Sequence, residues 1–107
     1  MSERISVIGT GMMGGSIIRS LIKGGYKGKI IATDFMTDKL TQLRALGAVT
    51  TLDNHKAASE ADIVFICVKP GDIEKVLKEI SKEVKDKLLV SSAATVPIWW
   101  LKKKHYC

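Results

Sequence analysis

The sequence predicts one α/β domain: a parallel sheet with helices on both faces. Strand-like and helix-like segments alternate along the chain, which demands crossover connections. The apolar run Ile63-Val64-Phe65-Ile66-Cys67-Val68 shows no alternation, as in a strand buried on both faces. A glycine-rich turn, Gly9-Thr10-Gly11-Met12-Met13-Gly14, separates the first strand-like segment from the first helical one. A length of 107 residues suits one domain and not two.

Taken in order, Ile5-Ser6-Val7-Ile8 is a short β-like run that stops at glycine. From Met13 the period changes, with Ile17, Ile18, Leu21 and Ile22 at helical spacing until Gly24-Gly25. Lys29-Ile30-Ile31-Ala32-Thr33 is a second strand, closed by Asp34. A helix fits Asp38 to Leu46, with Leu40, Leu43 and Leu46 on one side and Gly47 at its end. Ala48-Val49-Thr50-Thr51 makes a short third strand, and Asn54 to Glu60 one or two helical turns. The run Ile63 to Val68 is the fourth strand. Pro70 suits the first turn of the next helix, and Asp72 suits its positive end. Ile73, Val76, Leu77, Ile80 and Val84 give the clearest amphipathic pattern in the chain, and Leu88-Leu89-Val90 a fifth strand.

Composition excludes several classes. Hydrophobic residues make up 46% of the chain and charged ones 26%, so a core and a solvated surface are both available. The longest apolar run is far short of the roughly 20 residues that span a membrane, and no secretory leader opens the sequence. Two cysteines 40 positions apart form no disulfide framework, which fits a reducing, cytoplasmic setting. Half of the net charge of +6 lies in Lys102-Lys103-Lys104, and the other lysines interleave with acids. Neither a nucleic-acid nor a membrane partner is expected. His55, His105, Cys67 and Cys107 lack metal-ligand spacing, so no metal site is expected. Cys67 is expected as an inert core thiol, and Ser91-Ser92 has no base beside it to activate a hydroxyl.

The glycine turn carries the chemistry. Gly9 permits a tight turn, Gly11 lets backbone approach a pyrophosphate, and Gly14 lets the helix pack on the strand. The helix start then offers unpaired N–H groups and partial positive charge to an anion. Asp34 lies 20 residues beyond Gly14, at the end of the second strand. A carboxylate there accepts hydrogen bonds from a ribose diol and repels a 2′-phosphate, so NADH is favoured over NADPH. The fold expected is Rossmann-type, with sheet order 3-2-1-4-5.

Several stretches resemble the N-terminal half of the pyrroline-5-carboxylate reductase family. They are Ile5 to Gly15, Asp53-Asn54, Ala61-Asp62-Ile63-Val64-Phe65, Val68-Lys69-Pro70, and Val90-Ser91-Ser92-Ala93-Ala94. The resemblance implies hydride transfer from a nicotinamide cofactor to the cyclic imine 1-pyrroline-5-carboxylate, in proline synthesis. It places cofactor contacts on Gly9, Thr10, Gly11, Met12, Met13 and Gly14, on Asn54, on Val68, Lys69 and Pro70, and on Ala93 and Ala94. It also allows NADPH, because the family has small polar or basic residues where Asp34 stands. Thr95 replaces a usual glycine, and Trp99-Trp100 replaces two usually polar residues. Residues 1–107 are thus expected to be a dinucleotide-binding domain that stops before the sixth strand. Residues 98–107 would start a helix that is cut short, and the family's C-terminal helical domain, which also dimerises, would be missing. No catalytic residue is expected in this chain, and activity alone is not expected. Its partners would be the dinucleotide and a second copy or a helical domain. Two alternatives remain: a stand-alone nucleotide-binding or redox-sensing module, and the cofactor domain of a prephenate- or 6-phosphogluconate-type dehydrogenase.

Overall fold

Among the described residues five short strands pair in parallel: β1 (Ile5–Ile8), β2 (Ile30–Thr33), β3 (Val49–Thr51), β4 (Ile63–Ile66) and β5 (Leu88–Ser91). Their order is β3-β2-β1-β4-β5, as the sequence predicts. The computed structural model describes residues 3–10, 12–34, 37–85 and 87–91. Among these residues four helices make the crossovers: α1 (Met12–Lys23), α2 (Thr37–Ala45), α3 (Asn54–Glu60) and α4 (Ile73–Ile80). A single 3-10 turn, Pro70–Asp72, leads into α4.

The central strand sets the register. Ile5 lies opposite both Ile30 and Ile63, and Ile8 opposite Thr33 and Ile66. All four residues of β1 are buried, because neighbours flank it on both edges and helices cover both faces. Odd and even positions then serve two separate cores. Ile5, Val7, Ile30 and Ala32 pack with Ile18 of α1 and with Leu40 and Leu43 of α2. Ile8, Val64 and Ile66 pack with Ala58 of α3 and with Ile73, Val76, Leu77 and Ile80 of α4.

Three sequence expectations need correction. Strand β4 stops at Ile66, and its faces differ: Val64 and Ile66 are fully buried while Ile63 and Phe65 are partly exposed. Among the described residues, α3 and α4 seal one side of β4, whereas α1 and α2 are centred on β1, β2 and β3. Helix α4 ends at Ile80, four residues before the expected end. Val84 is still fully buried, because the turn that follows, where its N–H bonds the Ile80 carbonyl, sets it in the same core cluster as Leu77 and Ile80. Helix α2 ends at Ala45, so Leu46 falls in the turn and is 45% exposed instead of sharing the Leu40–Leu43 face. Pro70 opens the 3-10 turn ahead of the helix, and Asp72 is the N-cap position of α4.

Helix α3 is short, and tertiary contacts hold it. The Asp53 carboxylate caps its start, accepting from the N–H groups of His55 at 3.0 Å and Lys56 at 3.3 Å. The Lys87 ammonium donates to the Ala58 and Ser59 carbonyls at its other end. His55 Nδ1 lies 2.7 Å from Glu83 Oε1, which links α3 to the turn after α4. The hydrogen bond to Glu83 raises the His55 pKa above its ordinary 6.5 and lowers that of Glu83 below 4.5.

The sign of the pH effect follows from these directions. The His55 contribution is complete below the unfolded value and is lost as pH rises through the raised folded one. The Glu83 contribution is present above its unfolded value and is lost as pH falls through the lowered one. Urea midpoints should therefore be higher at about pH 6 than at about pH 8, and His55→Gln should flatten that slope.

Candidate functional site

The carboxyl ends of β1, β2, β3 and β4 and the start of α4 surround a cavity of about 380 Å³. Gly9 follows β1, Thr33 and Asp34 end β2, Leu52 and Asn54 follow β3, and Cys67, Val68 and Lys69 follow β4. Open α/β sheets bind ligands at this edge, where the strand order reverses between β1 and β4.

The glycine turn shapes the floor. At Gly9 φ is +85°, a conformation side chains disfavour, and its N–H donates to the Thr33 carbonyl at 3.0 Å. A Cβ on Gly9 would lie 2.8 Å from Val68 Cγ1 and 3.1 Å from the Cys67 carbonyl. The missing side chain is thus the space into which the β4 loop fits. Gly14, on the first turns of α1, is packed so closely that a Cβ would collide with the Gly9 carbonyl oxygen. This contact brings the start of α1, with its free N–H groups, up to the end of β1.

Asp34 is not isolated at the end of β2. Its Oδ2 accepts the Thr10 N–H at 2.9 Å and the Thr10 hydroxyl at 2.7 Å. Thr10 itself is buried. The N–H of Thr10 thus points to the acid, so the donors left for an anion are those that follow at the start of α1. Asn54 is the first residue of α3, held at the cavity by the Asp53 cap. Lys69 is exposed at the rim, and its carbonyl accepts the Asp72 N–H at 2.8 Å.

Of the residues singled out from sequence, Gly9, Asp34, Asn54, Val68 and Lys69 line one cavity, and Thr10 bonds to one of them. Met12 and Met13 open α1, Gly14 packs beneath the turn, and Pro70 starts the 3-10 turn beside the cavity residues. Gly11, Ala93, Ala94, Thr95, Trp99, Trp100 and the lysines at 102–104 lie outside the described residues. The sequence did not single out Lys39, Leu52 or Val76 for the cavity, and it assigned Cys67 to the core. Cys67 follows the last residue of β4, so it is partly exposed and forms cavity wall. Leu52, 67% exposed, carries the one sequence signal that was available: an apolar residue directly before a helix-capping aspartate.

A second depression, at the opposite end of the sheet, is lined by Asp62, Lys82, Glu83, Lys85 and Lys87. Its groups serve the fold: Arg4 N–H and guanidinium bond Asp62, His55 pairs with Glu83, and Lys87 holds the end of α3. The Arg4 bonds hold the Asp62 carboxyl below the usual range.

Gly14→Ala should force the strand and helix apart, with a loss of about 1–3 kcal/mol in urea unfolding. Gly71→Ala, where a Cβ meets nothing within 4 Å, should leave the midpoint near the wild-type value.

Residues 4–95 match the family model described as "NADP oxidoreductase coenzyme F420-dependent". Pyrroline-5-carboxylate reductase of Methanosarcina acetivorans is 35% identical over 101 residues, which cover 91% of this chain and 37% of that protein. The solved pyrroline-5-carboxylate reductase of Coxiella burnetii superposes with a TM-score of 0.90 at 33% identity, covering 96% of this chain and 40% of its own. The A. aeolicus prephenate dehydrogenase, solved with NAD+ and hydroxyphenyl propionate, has a TM-score of 0.82 at 22% identity, covering 96% and 38%; it shares the fold alone. Two further neighbours of the same fold, an imine reductase from Myxococcus stipitatus at 24% identity and the Plasmodium falciparum pyrroline carboxylate reductase at 23%, were solved with NAD+ and with NADP respectively. The chain spans less than half the length of the relatives it matches. By its match over residues 4–95 the chain belongs to the family of NADP oxidoreductases, coenzyme F420-dependent, and is similar there to the N-terminal part of pyrroline-5-carboxylate reductases.

Proposed function

We propose that this chain is the cofactor-holding part of an oxidoreductase of the pyrroline-5-carboxylate reductase type. One observation carries the assignment: Gly9, Asp34, Asn54, Val68 and Lys69, remote in sequence, meet around one cavity. The residues fit a nicotinamide dinucleotide. The close seat of α1 at Gly14, which brings the helix start up to the end of β1, suits a pyrophosphate set against backbone. Met12 and Met13, with Gly11, would present their N–H groups to it. Asp34 would accept from the adenosine ribose, while Leu52 offers apolar surface to a base. Asn54, Val68, Lys69, Pro70, Ala93 and Ala94 would hold the remainder.

When bound, the cofactor supplies the hydride that reduces the C=N carbon of a cyclic imine, 1-pyrroline-5-carboxylate in this assignment, to give proline. This chain binds and orients; none of its residues is assigned a catalytic role. A helical domain or a second copy would complete the substrate site, and a cytoplasmic location goes with that chemistry. Among the described residues no helix is long and apolar enough to cross a membrane.

Titration of the chain with NADH and with NADPH, followed by nicotinamide fluorescence, should give saturable binding with NADH the tighter ligand. Failure of both to bind would overturn the assignment. Asp34→Ser should shift the preference toward NADPH by about tenfold, since it removes a like charge from beside a 2′-phosphate. An unchanged ratio would show that Asp34 does not face the ribose.

A further inference from the structure

Thr10 occupies the second position of the glycine turn, where the turn chemistry asks for nothing beyond a backbone. It is nevertheless 4% exposed, and both of its donors converge on the same oxygen of Asp34, at 2.9 and 2.7 Å. The geometry points to Thr10 as a positioning residue that, through Asp34, decides between a free and a 2′-phosphorylated ribose. This rests on the dinucleotide assignment above and names what sets its selectivity.

A carboxylate at a strand end can turn about two side-chain bonds, and a doubly charged phosphate approaching it favours rotamers that turn it away. Two donors from one buried residue fix that rotation, so the negative charge stays where it stands. The O–H···O contact is short and charge-assisted, which makes it the stronger of the two. Because the Thr10 N–H is directed to the acid, Thr10 does not serve the pyrophosphate; its influence on the ligand passes through Asp34. Opposing this arrangement is Lys39, which lines the same cavity and would attract a 2′-phosphate. With the acid held, the free ribose is preferred; with the acid loose, the lysine decides.

The test measures dissociation constants of NADH and NADPH for the 107-residue chain, by nicotinamide fluorescence. Thr10→Val keeps the shape and removes the hydroxyl donor. It should lower the NADH-over-NADPH ratio by about tenfold, the usual effect of one hydrogen bond to a charge. Thr10→Ser should restore the wild-type ratio. In an Asp34→Ser background, Thr10→Val should leave the ratio where Asp34→Ser alone puts it. An unchanged ratio in Thr10→Val, an equal loss of both ligands, or an undiminished effect without Asp34 would each overturn the proposal. If circular dichroism shows Thr10→Val unfolded, Thr10→Ala compared with Thr10→Ser probes the same hydroxyl, with the same outcomes for and against. If the wild-type chain binds neither nucleotide, the dinucleotide assignment fails first and carries this proposal with it.

Discussion

Between β1 and α1 the backbone at Gly9 passes so near the β4 loop that Val68 Cγ1 and the Cys67 carbonyl fill the room of a side chain. The same residue donates to Thr33 on β2, and its carbonyl lies beneath Gly14 of α1. One residue without a Cβ thus joins the ends of three strands and the start of a helix. A larger residue would have to displace the β4 loop, tilt α1 or break the bond to β2. Each of those changes would open the cavity, since its walls are the segments that meet there.

The strands are only three or four residues long, so the sheet by itself fixes little of the site. Precision comes from bonds that continue the ladder past the strand ends. Cys67 N–H donates to the Ile8 carbonyl at 2.8 Å, Gly9 to Thr33, and Thr10 to Asp34. The loops therefore inherit the register of β1 with β2 for two residues beyond regular structure, and that of β4 with β1 for one. Side chains replace backbone acceptors at the last step, where Asp34 takes the place of a carbonyl.

How much of this was legible in the sequence depends on the range of the interaction involved. The element order and the sheet order follow from apolar periodicity, which is local, and from the crossover rule, which is general. The glycine turn was legible because close approach leaves no choice of residue. The ends of elements were not. Val84 continues the apolar period of α4 and is buried, yet it belongs to a turn, since burial alone does not require a helix. Phe65 and Ile63 sit in an unbroken apolar run, but cover from neighbouring elements decides whether a face is dry. Lys39 entered the cavity without warning, because the placement of α2 over β2 and β3 is tertiary. Asp34 was legible as an acid at the right place, whereas its bond to Thr10 joins positions 24 residues apart and has no local signature.

The aspartate that begins α3 has an effect beyond closing a helix. Asp53 occupies the first N–H groups of α3, and Asp72 stands at the head of α4, whereas α1 has no acidic residue in its first turn. The four described helices all start at this edge of the sheet, and three of them carry their own carboxylate, Asp38 being the one in the first turn of α2. With Asp34 just after β2, carboxylates stand along the cleft, and positive charge is left to the start of α1, Lys39 and Lys69. A long ligand with its charge in the middle has one seating that meets no repulsion. Its alignment is then decided as much by the places that refuse an anion as by the one that welcomes it.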